Sequence, residues 1–256
     1  MADEAAERIP KRLEREPLIE ALWEVRFALD EGVTGEVLAG SLYRVLKQSC
    51  PRIVRLPAAD IPHPIAKTDI RLRYVPAIRL EGSQQAAVAV QVGNRLVSLN
   101  NRRPYHGWAE FSQRVRQLVA TLRDTGLVKR VERFSLRYID LLELEPPPSL
   151  GSLRVRLELA GRDLTRLPIH FRTEISDAPF LQIVQASSPA EVTLRDEGRR
   201  HGTILDIDTI RPVEASDDGW KALEAELDEA HRRSHRLFFS LLTSDALEQL
   251  EPVYEQ

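Results

Sequence analysis

The feature that most constrains the fold is a stretch of alternating side chains in the middle of the chain, residues 131–144 (VERFSLRYIDLLEL). Its apolar positions recur at every second residue: Phe134, Leu136 and Tyr138. The positions between them are polar: Arg133, Ser135 and Arg137. A period of two is typical of a strand that packs one face on a core and turns the other to solvent or a ligand. We therefore expect a strand here, with the first half of the chain built around it.

The composition is typical of a folded globular protein. The 256 residues are 43% hydrophobic and 29% charged, with a net charge of −3. No apolar run approaches the ~20 residues that cross a bilayer, and the charged start MADEAAERIPKRLEREP lacks the apolar stretch of a secretory signal. We expect no membrane association and a cytoplasmic location. The slightly acidic balance does not favour nucleic-acid binding driven by overall charge, although a local basic face stays possible.

Motifs of the common enzyme classes are missing from the sequence. There is no Gly-x-Gly-x-x-Gly, no Walker-type phosphate loop and no Gly-x-Ser-x-Gly elbow. The single cysteine, Cys50, excludes an internal disulfide and a cysteine-based zinc site within one chain. We expect no cofactor, and the absence of an assembled catalytic set favours a protein that is not an enzyme.

The order of patterns divides the chain at the prolines 146–148. Residues 1–16 are charged and predicted to be flexible, and residues 17–145 have the order β-α-β-β-β-α-β. The strands of this unit are predicted around residues 23–29 and at 70–80, 86–92, 95–100 and 131–144, and its helices at 35–48 and 107–125. Residues 52–68 are predicted to be irregular because they carry several prolines.

Residues 146–256 are predicted to be mostly β. Strands are expected at 153–159, 169–175, 181–186, 190–194 and 203–211, followed by helices at 220–242 and 245–250. The fold class is therefore α+β, with two tandem antiparallel-sheet units, each covered by helices on one face, and a long C-terminal helix. Whether the two halves share one sheet is left open by the sequence.

The first candidate site is the polar face of the first-half sheet. Five arginines are predicted to share it: Arg26, Arg71, Arg73, Arg133 and Arg137. Guanidinium groups bind phosphate through paired hydrogen bonds, so this face could hold a phosphorylated molecule or a nucleic-acid backbone. The alternative is a wet surface on which Glu24 and Glu132 neutralise the arginines in cross-strand ion pairs.

The other candidates involve carboxylates and histidines. Asp206 and Asp208 alternate on one strand near His201, and such a pair can hold a hard cation, with Glu158 or Glu174 as a further oxygen donor. Acidic residues also keep edge strands soluble, so no metal site is assigned. His231 and His235 lie four residues apart on a helix, a spacing that suits zinc, but no glutamate for general-base chemistry lies between them, and packing of His235 at a helix–sheet boundary is the favoured explanation.

Three ordered motifs, PLIEALWEVRF, FSLRYID and HRLFFSLLTSDALEQLEP, resemble an uncharacterised prokaryotic family of similar length that is sporadically distributed among bacteria and archaea. The matching positions are Pro17, Leu18, Glu20, Arg137, Tyr138, Asp140, His235, Phe239 and Thr243. The resemblance implies no activity. The sporadic distribution implies transfer on mobile or defence-associated gene clusters.

These observations favour a non-enzymatic binding or assembly component whose partner is another protein or a second copy of itself. The alternative is an enzyme or sensor that binds a phosphorylated small molecule, or a nucleic-acid backbone, through the arginine-lined sheet face.

Overall fold

A single large antiparallel sheet dominates the protein. The computed structural model describes residues 9–61, 69–82, 87–145, 149–194, 197–215 and 217–254. In chain order the strands are β1 (Arg12–Leu13), β2 (Leu18–Leu29), β3 (Arg52–Arg55), β4 (Ile78–Glu81), β5 (Val88–Val92), β6 (Leu96–Arg102), β7 (Val128–Leu142), β8 (Glu158–Leu159), β9 (Arg162–Asp163), β10 (Ile169–Asp177), β11 (Phe180–Leu194), β12 (Gly198–Pro212) and β13 (Pro252–Val253). The α-helices are α1 (Gly35–Leu46), α2 (Trp108–Asp124), α3 (Gly219–Leu241) and α4 (Ser244–Gln249).

Nine of the strands form one sheet in the order β10-β11-β12-β7-β2-β6-β5-β4-β3. The central strand β7 pairs with β2 on one side and with β12 on the other, antiparallel in both cases. Strands from both halves of the chain thus belong to one sheet. The α+β class is confirmed, whereas the division into two tandem sheet units is not.

Helices α1, α2 and α3 pack against the same face of the sheet. Their buried residues Leu38, Leu42, Phe111, Val115, Leu223 and Leu227 share one core cluster with the sheet residues Trp23, Phe27, Phe134 and Leu136. The strand pattern explains this core, because alternate residues of β2 and β7 fall on one face. The opposite face carries the polar residues that alternate with these apolar ones, and no described helix packs on it. No described helix is both long enough and apolar enough to cross a membrane.

The strand predicted at residues 70–80 is wrong over most of its length. Ile70–Leu72 forms a short 3-10 helix instead, because the Asp69 carboxylate caps it by accepting a hydrogen bond from the Arg71 amide. Only Ile78–Glu81 is extended, and it pairs with Arg52–Arg55, which the prolines nearby had suggested was irregular. Residues 62–68 lie outside the described part of the chain.

Two predictions in the second half also need correction. The strand predicted at 153–159 is reduced to Glu158–Leu159, since Leu153 instead makes an isolated bridge to Leu242 after α3. The strands predicted at 181–186 and 190–194 are one continuous strand, Phe180–Leu194, because the pairing with β12 absorbs a register shift between Ser187 and Ala190.

The end of the N-terminal segment pairs with a short strand near the C-terminus. Arg12 and Leu13 pair with Val253 and Pro252 as a two-stranded ribbon, although residues 1–16 were predicted to be flexible. Residues 1–8 lie outside the described ranges. The ribbon leads into β2 through Glu16 and Pro17, and this connection runs across the helix-covered side of the sheet beside α3.

Candidate functional site

Three of the five predicted arginines lie together on the uncovered sheet face. Glu24 accepts hydrogen bonds from Arg26 Nε at 2.7 Å and from an Arg133 terminal nitrogen at 3.2 Å. Arg137 forms a two-point ion pair with Asp206, with Nε–Oδ1 2.8 Å and Nη2–Oδ2 2.5 Å. All three guanidinium groups are therefore engaged by carboxylates of the same sheet face, with Glu24 shared between two of them.

Arg71 and Arg73 are not part of that face. Both are exposed in the 3-10 region that replaces the predicted strand. Arg71 pairs with Asp69 at 2.7 Å, and the Arg73 guanidinium lies 5.3 Å from the ring centre of Tyr74. The predicted group of five arginines does not form, because the segment that carries two of them is not a strand.

The carboxylates Asp206 and Asp208 share the same face but differ in environment. Asp206 accepts from Arg137 and, at 3.4 Å, from Gln185. Asp208 has a buried oxygen without a hydrogen-bond partner in the described residues, and burial raises its pKa to about 6 against the opposing effect of Arg133 and Arg137.

No metal-binding group is assembled from the described residues, in which no three His, Cys, Asp or Glu side chains are suitably placed. His201 is exposed, 3.7 Å from Glu191 and at the far end of β12 from Asp208. Of the acids considered as a further oxygen donor, Glu174 pairs with Arg172 and Glu158 with Arg156.

A cavity of about 200 Å³ lies on the helix-covered side, and we call it the aromatic cavity. Its walls include Glu16, Pro17, Leu18, Tyr105, Trp108, Tyr138, Asp140, His231, Ser234, His235, Phe238 and Phe239, and Lys11 and Arg12 also line it. Six of the nine positions that carry the family resemblance are among them: Pro17, Leu18, Tyr138, Asp140, His235 and Phe239. Of the others, Glu20 and Arg137 lie on the opposite sheet face, and the Thr243 hydroxyl caps α4.

Regular secondary structure positions the cavity walls. Tyr138 and Asp140 are two residues apart on β7 and so point to the same side. His231 and His235 are one turn apart on α3, as are Ser234 and Phe238. The connection through Glu16 and Leu18 is held by Arg103, whose guanidinium donates to the Leu18 carbonyl at 2.7 Å and to the Glu16 carbonyl at 3.0 Å.

The aromatic residues form a continuous wall. The Trp108 ring stacks on His231 with a centroid distance of 4.1 Å and an angle of 8°, and His235 meets Phe239 edge-to-face at 4.7 Å. The Tyr138 hydroxyl is 2.9 Å from His231 Nδ1. These contacts fix the orientation of the rings and leave π faces and ring edges along the cavity.

Charge in the cavity is set by burial. Desolvation, reinforced by nearby Glu16 and Asp206, raises the pKa of Asp140 well above its usual value, while Arg103 opposes the shift. Partial burial also raises the pKa of Glu16, which lies at the exposed edge of the cavity. Burial lowers the pKa of His231 to about 4 and also lowers that of His235. Near neutral pH both imidazoles are therefore uncharged.

The Asp140 carboxyl is the chemically unusual group of the site. It is buried on β7, and no described side chain donates a hydrogen bond to it. A buried carboxyl with this environment is costly to the folded state and is a recognised mark of a functional site.

Part of this site could be anticipated from the sequence. The motif positions Tyr138, Asp140 and His235 were singled out, and His231 was considered with His235. Trp108 was not singled out within the helix predicted at 107–125, and Glu16 lies in the segment predicted to be flexible. The one signal for Glu16 was its position directly before the Pro-Leu motif.

Comparison with protein-family models and with curated proteins finds no match to this chain. The family resemblance of the three motifs therefore stays a prediction.

Replacing Asp140 with asparagine is expected to stabilise the protein at neutral pH. The folded-state pKa is raised, so the folded protein holds a proton that the unfolded chain releases, and the carboxyl's contribution to stability falls as pH rises above the unfolded pKa. Asparagine does not titrate. We expect a gain of about 1–3 kcal/mol at pH 7 that shrinks towards about pH 4, measured by urea unfolding across this range.

The matched control is Asp163→Asn, because the hydrogen bond from Thr165 lowers the pKa of that exposed carboxyl and gives the opposite sign. Asp163→Asn should lower stability slightly at neutral pH. An Asp140→Asn variant with no gain at pH 7, or with a gain that is independent of pH, would contradict the assigned environment.

Proposed function

We propose that the protein is a non-enzymatic binding component and that the aromatic cavity is its ligand site. The ligand class that fits best is a small organic molecule with a positively charged nitrogen. The observation that carries the proposal is the buried Asp140 carboxyl, without a hydrogen-bonded partner in the described residues, inside a wall of aromatic rings.

A cationic ligand would complement this site in two ways. Aromatic faces attract cations through their negative π density, and the attraction is stronger where water is excluded. The ligand charge would also favour ionised Asp140, offsetting the desolvation that raises its pKa. The histidines do not oppose this, because burial keeps both uncharged near neutral pH.

The cavity volume limits the size of the ligand. About 200 Å³ is smaller than the roughly 300–1,000 Å³ of sites for drug-sized molecules. A small amine, a quaternary ammonium group or the end of an amine-bearing side chain is of suitable size. Lys11 and Arg12 lie at the exposed margin, where they favour ligands whose positive end is inserted and whose other end faces out.

The contacts of the cavity favour binding over catalysis. His231 is engaged by the Tyr138 hydroxyl and covered by the Trp108 ring. Among the described lining residues, Ser234 is the one hydroxyl of the serine or threonine type, and it makes no hydrogen bond to either histidine. A base-activated nucleophile requires such a contact.

The arginine-face alternative has less support. Arg26, Arg133 and Arg137 are paired with Glu24 and Asp206, so an anion would have to displace existing partners. Participation in a mobile or defence-associated gene cluster is proposed from the family resemblance alone.

The experiment is a thermal-shift and calorimetric comparison of choline, methylammonium and guanidinium with 3,3-dimethylbutanol, the uncharged isostere of choline, and with inorganic phosphate. We expect at least one cation to stabilise the protein and the isostere to have little effect. The shift should be lost in Asp140→Asn and in Trp108→Ala and retained in Arg133→Ala, which alters only the opposite face. Binding should release protons, seen as a dependence of the calorimetric heat on the buffer.

Equal stabilisation by the uncharged isostere, or no response to any of the three cations, would overturn the proposed ligand class. Stabilisation by phosphate that Arg133→Ala or Arg137→Ala removes would favour the arginine face instead.

A further inference from the structure

Strand β10 forms one outer edge of the large sheet. Its nine residues, IHFRTEISD, pair with β11 on one side, and no other described strand pairs with the other side. Residues 172–176 are all exposed, and the strand contains no proline or lysine. Natural proteins commonly protect such edges with proline, lysine or a covering segment, because an open edge is a template for strand addition.

The sequence of β10 is complementary to itself in the antiparallel direction. With Thr173 opposite Thr173 of the partner subunit, Arg172 lies opposite Glu174 of the partner subunit, and Glu174 opposite the partner's Arg172. In the same register Phe171 lies opposite Ile175 of the partner subunit, and Ile175 opposite the partner's Phe171. Opposite charges and apolar pairs at facing positions are the arrangements that stabilise antiparallel strands.

We propose that two copies of this chain associate through β10 about a two-fold axis at Thr173, which joins their sheets into one continuous sheet. Such an interface is isologous, as most homodimer interfaces are, because the same strand contributes both sides. Main-chain hydrogen bonds between the two β10 strands would supply the affinity, and the facing side chains would set the register.

The charged pairs act mainly on register. In the single chain Arg172 and Glu174 pair with each other at 2.7 Å, and their side chains are 46% and 49% exposed. In the dimer each carboxylate would lie between two guanidinium groups, one from each copy. Since exposed ion pairs contribute little to affinity, their role is to disfavour shifted pairings, which would place like charges together.

Apolar contacts add to the fit. Ile175 is 39% exposed in the single chain, and Phe171 is partly exposed. Pairing would bring Phe171 of one copy beside Ile175 of the partner subunit. These contacts would lie on the side of the sheet that carries Val184 and Ala186 of the neighbouring strand β11. The dimer would thereby extend the existing apolar face across the junction.

The opposite edge of the sheet lacks this complementarity. Strand β3 is RIVR, and antiparallel self-pairing of its four residues would place Arg52 opposite Arg55 of the partner subunit. Like charges at facing positions are unfavourable. The sheet thus has one edge suited to a second copy and one that resists it.

Charge reversal tests the pairing. Arg172→Glu and Glu174→Arg alone each place like charges at facing positions, so each variant is expected to be monomeric by light scattering at concentrations where the unmodified chain is dimeric. A mixture of the two variants should form a heterodimer, because every facing pair is then of opposite charge. The double variant Arg172→Glu/Glu174→Arg should also dimerise. Circular dichroism confirms that each variant folds.

Cross-linking tests the register. Cys50 is buried and free, and a Cys50→Ala background removes it. Thr173→Cys would place two thiols at facing positions, about 4.5–5.5 Å apart between Cα atoms, which is within disulfide range. We expect oxidation to cross-link Thr173→Cys, whereas Ser176→Cys should not cross-link because its facing residue is His170 of the partner subunit.

A monomeric unmodified chain together with the absence of a Thr173→Cys cross-link would overturn the proposal. So would a dimer that survives both single charge reversals. The amine-binding experiments do not enter either outcome, since β10 contributes no residue to the aromatic cavity.

Discussion

Replacing Trp23 with alanine is expected to lower the free energy of unfolding by about 3–5 kcal/mol. Trp23 is fully buried at the middle of β2, between strands β6 and β7, where its neighbours Leu99 and Leu136 face the helices. Truncation removes a large apolar surface and leaves a cavity beneath helices that are fixed by the rest of the core. The measurement is urea unfolding followed by far-ultraviolet circular dichroism, because the chain contains other tryptophans.

Trp23→Phe is the matched control. The buried indole nitrogen of Trp23 has no hydrogen-bond partner among the described residues. Phenylalanine keeps most of the apolar contact and removes this unsatisfied donor, which itself costs about 1–3 kcal/mol. The phenylalanine variant should therefore lose less than about 1.5 kcal/mol. Equal losses for the two variants would show that the indole shape, and not apolar burial, dominates at this position.

Individual strands and helices could be predicted because their apolar residues recur with a clear period. The alternation in β2 and β7 gave both the strands and the face that carries Trp23 and Phe134. The strands predicted at 86–92 and 95–100 correspond to β5 and β6, which pair as neighbours across the short connection at Gly93-Asn94. The helical spacing in residues 107–125 and 220–242 likewise gave α2 and α3 within a few residues.

Pairing between distant segments could not be predicted in this way. The antiparallel pairing of β7 with β12 joins residues that are far apart in the sequence, from Leu142 with Thr203 to Arg133 with Pro212. The alternating pattern of a strand predicts its faces but does not identify the strand that it pairs with. The ribbon of Arg12–Leu13 with Pro252–Val253 is similarly non-local. At residues 70–72, a local side-chain cap outweighed an alternating pattern.

The same distinction explains the candidate site. Arg26, Arg133 and Arg137 lie on one face as expected, and Glu24 pairs with Arg133 across the strands as the alternative anticipated. The pairing of Arg137 with Asp206, in contrast, depends on the register between β7 and β12. The aromatic cavity needs β7, α2, α3 and the Glu16 connection at once. Only the motif positions Tyr138, Asp140 and His235 pointed to it before the fold was known.

The charged groups on the two faces of the sheet differ in their partners. On the uncovered face Arg26, Arg133 and Arg137 each have a carboxylate within hydrogen-bonding distance, although one buried oxygen of Asp208 has no partner among the described residues. On the covered face Asp140 is buried without such a partner in the described residues. Paired charges hold strand register, whereas a buried carboxyl without a hydrogen-bonded partner is stabilised when a ligand supplies the missing charge.

Replacing Arg137 with alanine is expected to lower the free energy of unfolding by about 2–4 kcal/mol. The Asp206 side chain is only 10% exposed, so loss of the two-point pair leaves a buried carboxylate, with Asp208 as a like-charged neighbour on the same strand. The upper end of the usual range is not expected, because the Arg137 side chain is 35% exposed and water screens part of the interaction. Urea unfolding at neutral pH measures the loss.

A double-mutant cycle with Asp206→Asn separates the pair from other effects. If the two residues act mainly on each other, the double variant should lose clearly less than the sum of the single losses, with a coupling of about 1–3 kcal/mol. Arg137→Lys should recover only part of the loss, since an ammonium group cannot form the planar two-point pair. Additive losses would mean that Arg137 stabilises the sheet through another contact. A negligible loss on Arg137→Ala would mean that the ion pair with Asp206 does not stabilise the unmodified protein. The Arg137 guanidinium could then bind an external anion, an outcome that the two-point geometry argues against.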